Sequence, residues 1–437
     1  MNNNNQIGNK KYVQTLALFF IAPIIALISG IRTGNEKFIT VTGTIFMGFI
    51  GSLYFYRPGS DGYTHLMRAS ENYDISLLEF LSKVPLWLTN QGALMQSDLY
   101  LPVLSYISVA LFGVPELIHV FGGLVLGYFF TKSVLLLIKD SNVRKWSLLF
   151  ILFLVFFLTI RSISALNSLR MWTGMWVLFY GAFGFYKYRE KKFLLIIFFS
   201  AIIHFSYYLY VLPVILAYLL SSKPKIITAI FVGSLFFTLP FVSVDNLAQF
   251  FPEDSAFEHR ASYTIVDPST RQAVATSSET SNFYRAYGSS IYRNYSTVIL
   301  SVLLIVAINL NKRYSLLFNN ESDYKCFVFL VSCGLMLFST INIFSFGGFA
   351  GRGHTIGALF LTASVLMLLA QSNISAIPYY FKAGIYLFLI TAIPFWLFHL
   401  SFILNTVSFF VLALPFLNWL LPVEDMSIRD FIAQFIF

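Results

Sequence analysis

A chain of 437 residues in which 57% are hydrophobic and 11% charged is excluded from the soluble globular class, where charged residues run at about 25%. Its mean hydropathy of +0.73 requires apolar surface that faces lipid. The net charge of +9 would suit nucleic acid only if gathered into one patch; it is scattered over short loops, so no nucleic-acid partner is expected.

From the N-terminus, residues 1–11 are polar and Asn-rich, and the apolar run 12–31 follows with no small-residue cleavage site. That run reads as a span and not as a cleaved leader. Further apolar runs lie at 38–56, 115–138, 146–160, 168–186, 226–244, 296–311, 326–344, 354–371 and 383–404, with shorter or broken ones at 99–113, 193–220 and 405–421. A crossing helix needs about 20 residues, so the expectation is an all-α polytopic integral membrane protein with about 11 to 13 membrane segments, re-entrant or short hairpin helices included. No internal repeat or soluble domain is visible, and residues 1–437 read as a single membrane domain. Cys326 and Cys333, seven apart on one helical face, read as packing residues.

Lysine and arginine are sorted to different places. Short basic loops carry Lys139/Arg144/Lys145, Lys187/Arg189/Lys191/Lys192 and Lys223/Lys225, the mark of the cytoplasmic side. The segment 245–295 instead holds Arg260, Arg271, Arg285 and Arg293 with six acids, one histidine and no lysine. It reads as a large external loop. Arginine's planar fork suits phosphate or carboxylate in fixed geometry, where lysine is a point charge. The run 193–220 lies between two basic loops that should share a side, and it is too short for two full crossings. A short helical hairpin turning near His204–Tyr208 satisfies both constraints, since irregular backbone at that depth is tolerated only against protein or a water-filled cavity. The acid-rich segment 57–98 reads as a first external segment, which makes 99–113 re-entrant or interfacial.

Residues able to carry chemistry follow from these positions. Pro58 and Gly59 should end the second span, and Gly62 permits a positive φ. Asp61 is thereby held at the membrane surface, with His65 and Arg68 further along a helix. Two readings stand for Asp61: a general base on a sugar hydroxyl, or a helix cap shared with Ser60. Arg161 and Arg170 bracket a small, polar stretch containing Ser164, Asn167 and Ser168. Arg161 reads either as a site residue or as an arginine snorkelling to the interface. Arg170 opens a span and is a site residue by default, beside a helix N-terminus that favours phosphate. His204, at the hairpin tip, is either catalytic or a hydrogen-bonded core histidine. No second His or Cys stands at ligand spacing, so neither a metal nor another cofactor is expected. Arg352 sits in the glycine-rich stretch 346–354, read as a turn whose backbone N–H groups can approach an anion, although it lacks the signature of a nucleotide P-loop. The loop arginines Arg260, Arg285 and Arg293, among tyrosines, read either as a sugar-phosphate surface or as self-paired charges.

Two stretches carry a family resemblance. Arg57-Pro58-Gly59-Ser60-Asp61-Gly62-Tyr63 is similar to the Gly-x-Asp-Tyr turn after an early span in the EpsG-like and Wzy-type polysaccharide polymerases, with Gly62 inserted between Asp61 and Tyr63. Ser168-Leu169-Arg170-Met171-Trp172-Thr173-Gly174, the basic turn Lys187–Lys192 and His204-Phe205-Ser206 resemble that family's Arg-Gln-x-x-Ala helix, basic turn and Phe-His-x-Ser hairpin. Met171 replaces the usual Gln, so any role of that Gln is absent. These stretches lie within residues 57–206, about a third of the chain. The resemblance implies a metal-independent glycosyltransferase of the bacterial inner (cytoplasmic) membrane that joins oligosaccharide repeat units carried on undecaprenyl diphosphate into O-antigen, capsule or another surface polysaccharide. Asp61 and His204 would then be catalytic, and Arg161, Arg170, Arg352, Arg260, Arg285 and Arg293 would bind diphosphate. The partners are the lipid-linked glycan units and the bilayer, with a chain-length regulator admitted. Another polyprenyl-phosphate-dependent transferase or an O-antigen ligase would use the same ingredients. A lipid-linked glycan flippase or transporter would more often show related halves.

Overall fold

A computed structural model of the chain describes residues 12–56, 60–72, 74–88, 98–139, 147–236, 283–310, 315, 317–318, 320–344, 347–371, 376–417 and 426–435. Among them the chain is all helical, with only isolated bridges of extended backbone, Tyr54 to Val407 and Ser408 to Ser427. Six helical segments are long and apolar enough to cross a membrane: Leu117–Ile138, Leu148–Leu166, Tyr287–Asn309, Glu321–Ile343, Gly351–Ala370 and Tyr379–Thr406. The chain is a multi-pass membrane protein of the all-α class.

In chain order the helices are α1 (Pro23–Arg32), α2 (Glu36–Ser52), α3 (Asp61–Asn72), α4 (Leu77–Leu88), α5 (Tyr100–Tyr106), α6 (Leu117–Ile138), α7 (Leu148–Thr159), α8 (Leu169–Tyr188), α9 (Lys192–Ile203), α10 (Tyr207–Leu220) and α11 (Pro224–Ser234). They continue as α12 (Phe283–Ile291), α13 (Thr297–Asn309), α14 (Glu321–Ile343), α15 (Gly347–Gln371), α16 (Tyr379–Thr406) and α17 (Ile428–Phe435). Several apolar runs are divided differently from their hydropathy. The run 12–31 is not one span: a tight turn at Leu18–Phe20 precedes Pro23, which opens α1 because a proline at the first helical position lacks only an N–H that the helix does not use. In 226–244 the helix stops at Ser234. The span expected at 296–311 begins upstream and runs Tyr287–Asn309 through a wide turn at Tyr292–Ser296. The stretch 99–113 holds α5 and a wide turn at Ile107–Leu111, together too short to cross at about 1.5 Å per residue.

The centre of the bundle is the pair α14–α15, with Phe327, Leu330, Val331, Phe360 and Leu361 fully buried, and α8, whose Trp176, Phe179 and Phe183 are fully buried. Cys326 and Cys333 are both buried in α14. Lipid gives no hydrophobic drive between helices, so close packing depends on small residues. The crossing of α2 with α6 shows this: a Cβ on Gly51 would collide with the His119 carbonyl, and one on Gly123 with the Met47 carbonyl.

The connectivity sorts the two ends of the bundle. Lys139 follows α6 and pairs with Glu36 at the start of α2, 3.5 Å away. The loops holding Lys187–Lys192 and Lys223 join α8 to α9 and α10 to α11 at that same end. At the opposite end, roughly 30 Å along α8, Phe55 N–H donates to the Thr406 carbonyl at 2.7 Å, and Leu99 N–H to the Ile202 carbonyl at 3.2 Å. Asp61, Asp98, Arg161, Arg170, His204 and Arg352 all belong to this second end.

Gly123→Ala should destabilise the detergent-solubilised chain by about 1–3 kcal/mol, read as a lowered melting temperature. Gly233→Ala, where an added Cβ meets nothing, should leave it unchanged.

Candidate functional site

The site is organised at the first turn of α8. Arg170 occupies its second residue, where a cation meets the positive end of the helix dipole and is destabilised unless an anion stands nearby. Asp98 is that anion: Arg170 Nη1 donates to Asp98 Oδ2 at 2.8 Å, with the Asp98 side chain 1% exposed and that of Arg170 21%. The same backbone stretch that carries Asp98 is held to the end of α9 by the Leu99–Ile202 bond. Ser168 is the N-cap of α8 but its hydroxyl caps nothing within the helix. It donates instead to Asp61 Oδ2 at 2.5 Å.

Asp61 lies at the start of α3. Ser60 does the capping there, its hydroxyl accepting from Tyr63 N–H at 3.3 Å, so the carboxylate of Asp61 is not the cap. Gly62 is helical and not in a positive-φ turn. Its lack of a side chain serves close approach, since a Cβ would collide with the Tyr56 ring, and its N–H reaches Asn167 Oδ1 at 3.4 Å. One turn on, His65 is buried. Burial, with Arg170, His119 and Arg68 nearby, holds its imidazole well below the usual range, so it is neutral near pH 7. Beneath it, His119 stacks on Tyr56 with ring centroids 3.5 Å apart.

The α9–α10 hairpin closes the third side. His204, 4% exposed, ends α9 in extended backbone. Its Nδ1 accepts from Ser206 N–H at 3.2 Å and lies 2.8 Å from Ser206 Oγ, which puts the ring proton on Nε2. The Tyr207 hydroxyl donates to the Met171 carbonyl at 2.6 Å, and Gly174 leaves room for the Tyr207 ring, which would stand 2.5 Å from a Cβ there. Gly174 is therefore a packing requirement of the hairpin on α8. Arg352 is exposed, close enough to Tyr207 and Tyr210 for its charge to act on both, and its neighbour Gly353 packs on Tyr210.

The residues singled out in the sequence thus divide. Asp61, Arg170 and Arg352 reach the surface around the first turns of α8, Asp61 through Ser168, Arg170 against Asp98 and Arg352 near Tyr207, while His204 is buried beside Tyr207. Arg352 is not in a glycine-rich turn: α15 begins at Gly347, and Gly351 and Gly353 are helical. Arg161 faces away from this surface. It does not snorkel outward; its guanidinium lies 3.9 Å from the centroid of Trp172, on the other face of α8 from Arg170. Arg293 is exposed in the wide turn before α13. Arg285 falls within α12 with its side chain outside the described residues, as are Arg57–Gly59, Arg260 and Arg271. Sequence reading missed Asp98 as the partner of Arg170, the hydroxyl of Ser168 as a carboxylate ligand, and His119. Only the location of His65 one turn after Asp61 gave any prior signal. Among the described residues no group of His, Cys, Asp and Glu is placed to hold a metal ion.

Compared with known proteins, the chain matches no family model, no curated protein and no solved structure.

Two expectations follow. Asp98→Ala strands the Arg170 charge and should cost about 3–5 kcal/mol, whereas Asp98→Asn should cost less; melting of the purified chain measures both. His65 protonates near pH 6.5 when unfolded and only well below that when folded. The unfolded state therefore binds more protons in that window, and stability falls as pH drops below about 6.5. His65→Gln should flatten that acid slope by up to about 1.4 kcal/mol per pH unit.

Proposed function

We propose that the protein is a polysaccharide polymerase. It joins oligosaccharide repeat units carried on undecaprenyl diphosphate, at the outer face of the bacterial cytoplasmic membrane. The observation that carries the reading is the gathering of Asp61, Arg170 and Arg352, with the buried His204 beside Tyr207, at the end of the bundle away from the lysine loops. The resemblance of the stretches around Asp61, Arg170 and His204 to the EpsG-like and Wzy-type families supports it as well.

The chemistry asks for three things. A hydroxyl at the nonreducing end of one unit attacks the anomeric carbon of another, so a carbon–oxygen bond forms as the bond to the lipid diphosphate breaks. The hydroxyl proton needs an acceptor, and Asp61 is an exposed carboxylate whose orientation is set by Ser168. The departing diphosphate needs positive charge placed in advance. Arg170 and Arg352 each stand near a helix N-terminus, where dipole and guanidinium favour the same anion. An incoming diphosphate competes with Asp98 for the Arg170 fork. His204, fixed with its proton on Nε2, serves as a hydrogen-bond donor and not as a base through Nδ1.

In the host, deletion of the gene should reduce the surface glycan from ladders to single repeat units on a gel. Arg170→Ala and Arg352→Ala should do the same with the protein still present in the membrane. A deletion strain that still makes full ladders refutes the reading.

A further inference from the structure

Arg161 is a cation that the proposed reaction surface leaves out, in an environment that folding alone does not require. It follows α7 with φ of 54°, left-handed backbone that non-glycine side chains rarely adopt. That backbone is held in place by Trp176, whose indole N–H donates to the Arg161 carbonyl at 3.0 Å. The consequence is to turn the side chain inward over Trp172. Once there, the guanidinium makes no hydrogen bond and no ion pair with any described residue, and its Nε is buried without a partner. Guanidinium carries five N–H donors and stays charged; at the half-buried Arg161 one of them, the Nε–H, is shut off from water with no partner among the described residues.

The groups around it have the same character. His399 on α16 is 1% exposed and lies close enough to feel the Arg161 charge. Its Nδ1 is 3.2 Å from Ser164 Oγ, while its Nε2 is buried with no hydrogen-bond partner. Arg161, Tyr292, Thr355 and Thr362 line a small crevice between α7, α8 and α15. No carboxylate among the described residues stands against Arg161, in contrast to Arg170 with its Asp98. A planar cation beside unfilled polar positions, with no counter-charge among the described residues, is completed by an oxyanion, and the guanidinium fork suits phosphoryl oxygens. A neutral sugar hydroxyl would fill hydrogen bonds and leave the charge uncompensated.

We propose that Arg161, with Trp172 under it and the Ser164–His399 pair beside it, forms a second oxyanion site, for a phosphate or diphosphate group, separate from the surface at Arg170. Its role rests on the polymerase reading. Each elongation step brings together two lipid-linked diphosphates, one that leaves and one that stays on the acceptor, and like charges of that size require separate cationic sites. Helix α8 keeps them apart, with Arg170 on one face and Trp172 under Arg161 on the other.

The full chain in nanodiscs is assayed by equilibrium dialysis with radiolabelled inorganic pyrophosphate. Binding that persists in Arg170→Gln and is lost in Arg161→Gln supports the site. Should Arg161→Gln not give monodisperse protein, Arg161→Lys carries the test: it keeps the charge and loses the fork and the stacking, and should weaken binding by roughly tenfold. Binding abolished by Arg170→Gln, or unchanged in folded Arg161→Gln or Arg161→Lys, overturns the proposal. A second arm adds undecaprenyl phosphate to the nanodisc lipid. Displacement of pyrophosphate from the Arg161 site supports a lipid-linked source, and no displacement overturns that source in favour of a free phosphate. The polymerase reading fails on glycan ladders and this site on dialysis, so the two failures are distinguishable.

Discussion

A guanidinium at the first turn of a membrane helix stands against the positive end of that helix's dipole, in surroundings that screen charge poorly, and so it requires an anion at short range. Asp98 meets that requirement for Arg170, and much of this end of the protein is arranged by the pairing. To bring a carboxylate from a distant segment, the chain before α5 lies against the end of α9. The α9–α10 hairpin in turn lies on α8 through Tyr207 and Met171. Asp61 reaches the same corner through Ser168, the residue that would otherwise cap α8. Ion pair, hairpin and early polar helix thus depend on one another.

The pairing also makes Arg170 responsive. A buried ion pair is held by mutual attraction against the loss of hydration, and an arriving multivalent anion alters that balance by offering the guanidinium more charge than one carboxylate does. Arg161 faces the opposite condition: no acid within the described residues neutralises it, and the Trp172 ring covers one face of its guanidinium. An arginine paired with Asp98 and one with no acid partner among the described residues, set on two faces of one helix, suit the proposed reaction, in which one phosphoryl group departs and another stays bound.

Several local readings change once the helices are packed. Asp61 reads equally as cap or base in the sequence, and the structure assigns the cap to Ser60. Gly62 and Gly353 suggest a turn and an anion-binding loop by composition, yet both are helical and admit the rings of Tyr56 and Tyr210, as Gly174 within α8 admits that of Tyr207. Arg161, at the end of an apolar run, has the position of a snorkelling residue and instead turns inward, because its left-handed backbone and the Trp176 hydrogen bond reverse its direction. In each case a rule based on neighbours in sequence meets a partner supplied by another helix.

Hydropathy and the placement of lysine are properties of short windows, and the solvent reads them locally. The sequence by itself therefore determined the all-α membrane class, the shared end of the basic loops, and the short α9–α10 hairpin between two of those loops. Which charge meets which was decided only by tertiary structure. Asp98 and Arg170 are 72 residues apart, Asp61 and Ser168 are 107 apart, and Ser164 and His399 are 235 apart. Such pairings are set by how helices cross, which depends on the small residues at each contact, and no window of the chain contains both partners. Of these contacts the two shielded ones, Asp98–Arg170 and Ser164–His399, carry the larger energetic weight because water competes little for them, so the part of the molecule least legible in the sequence is the part that forms the site.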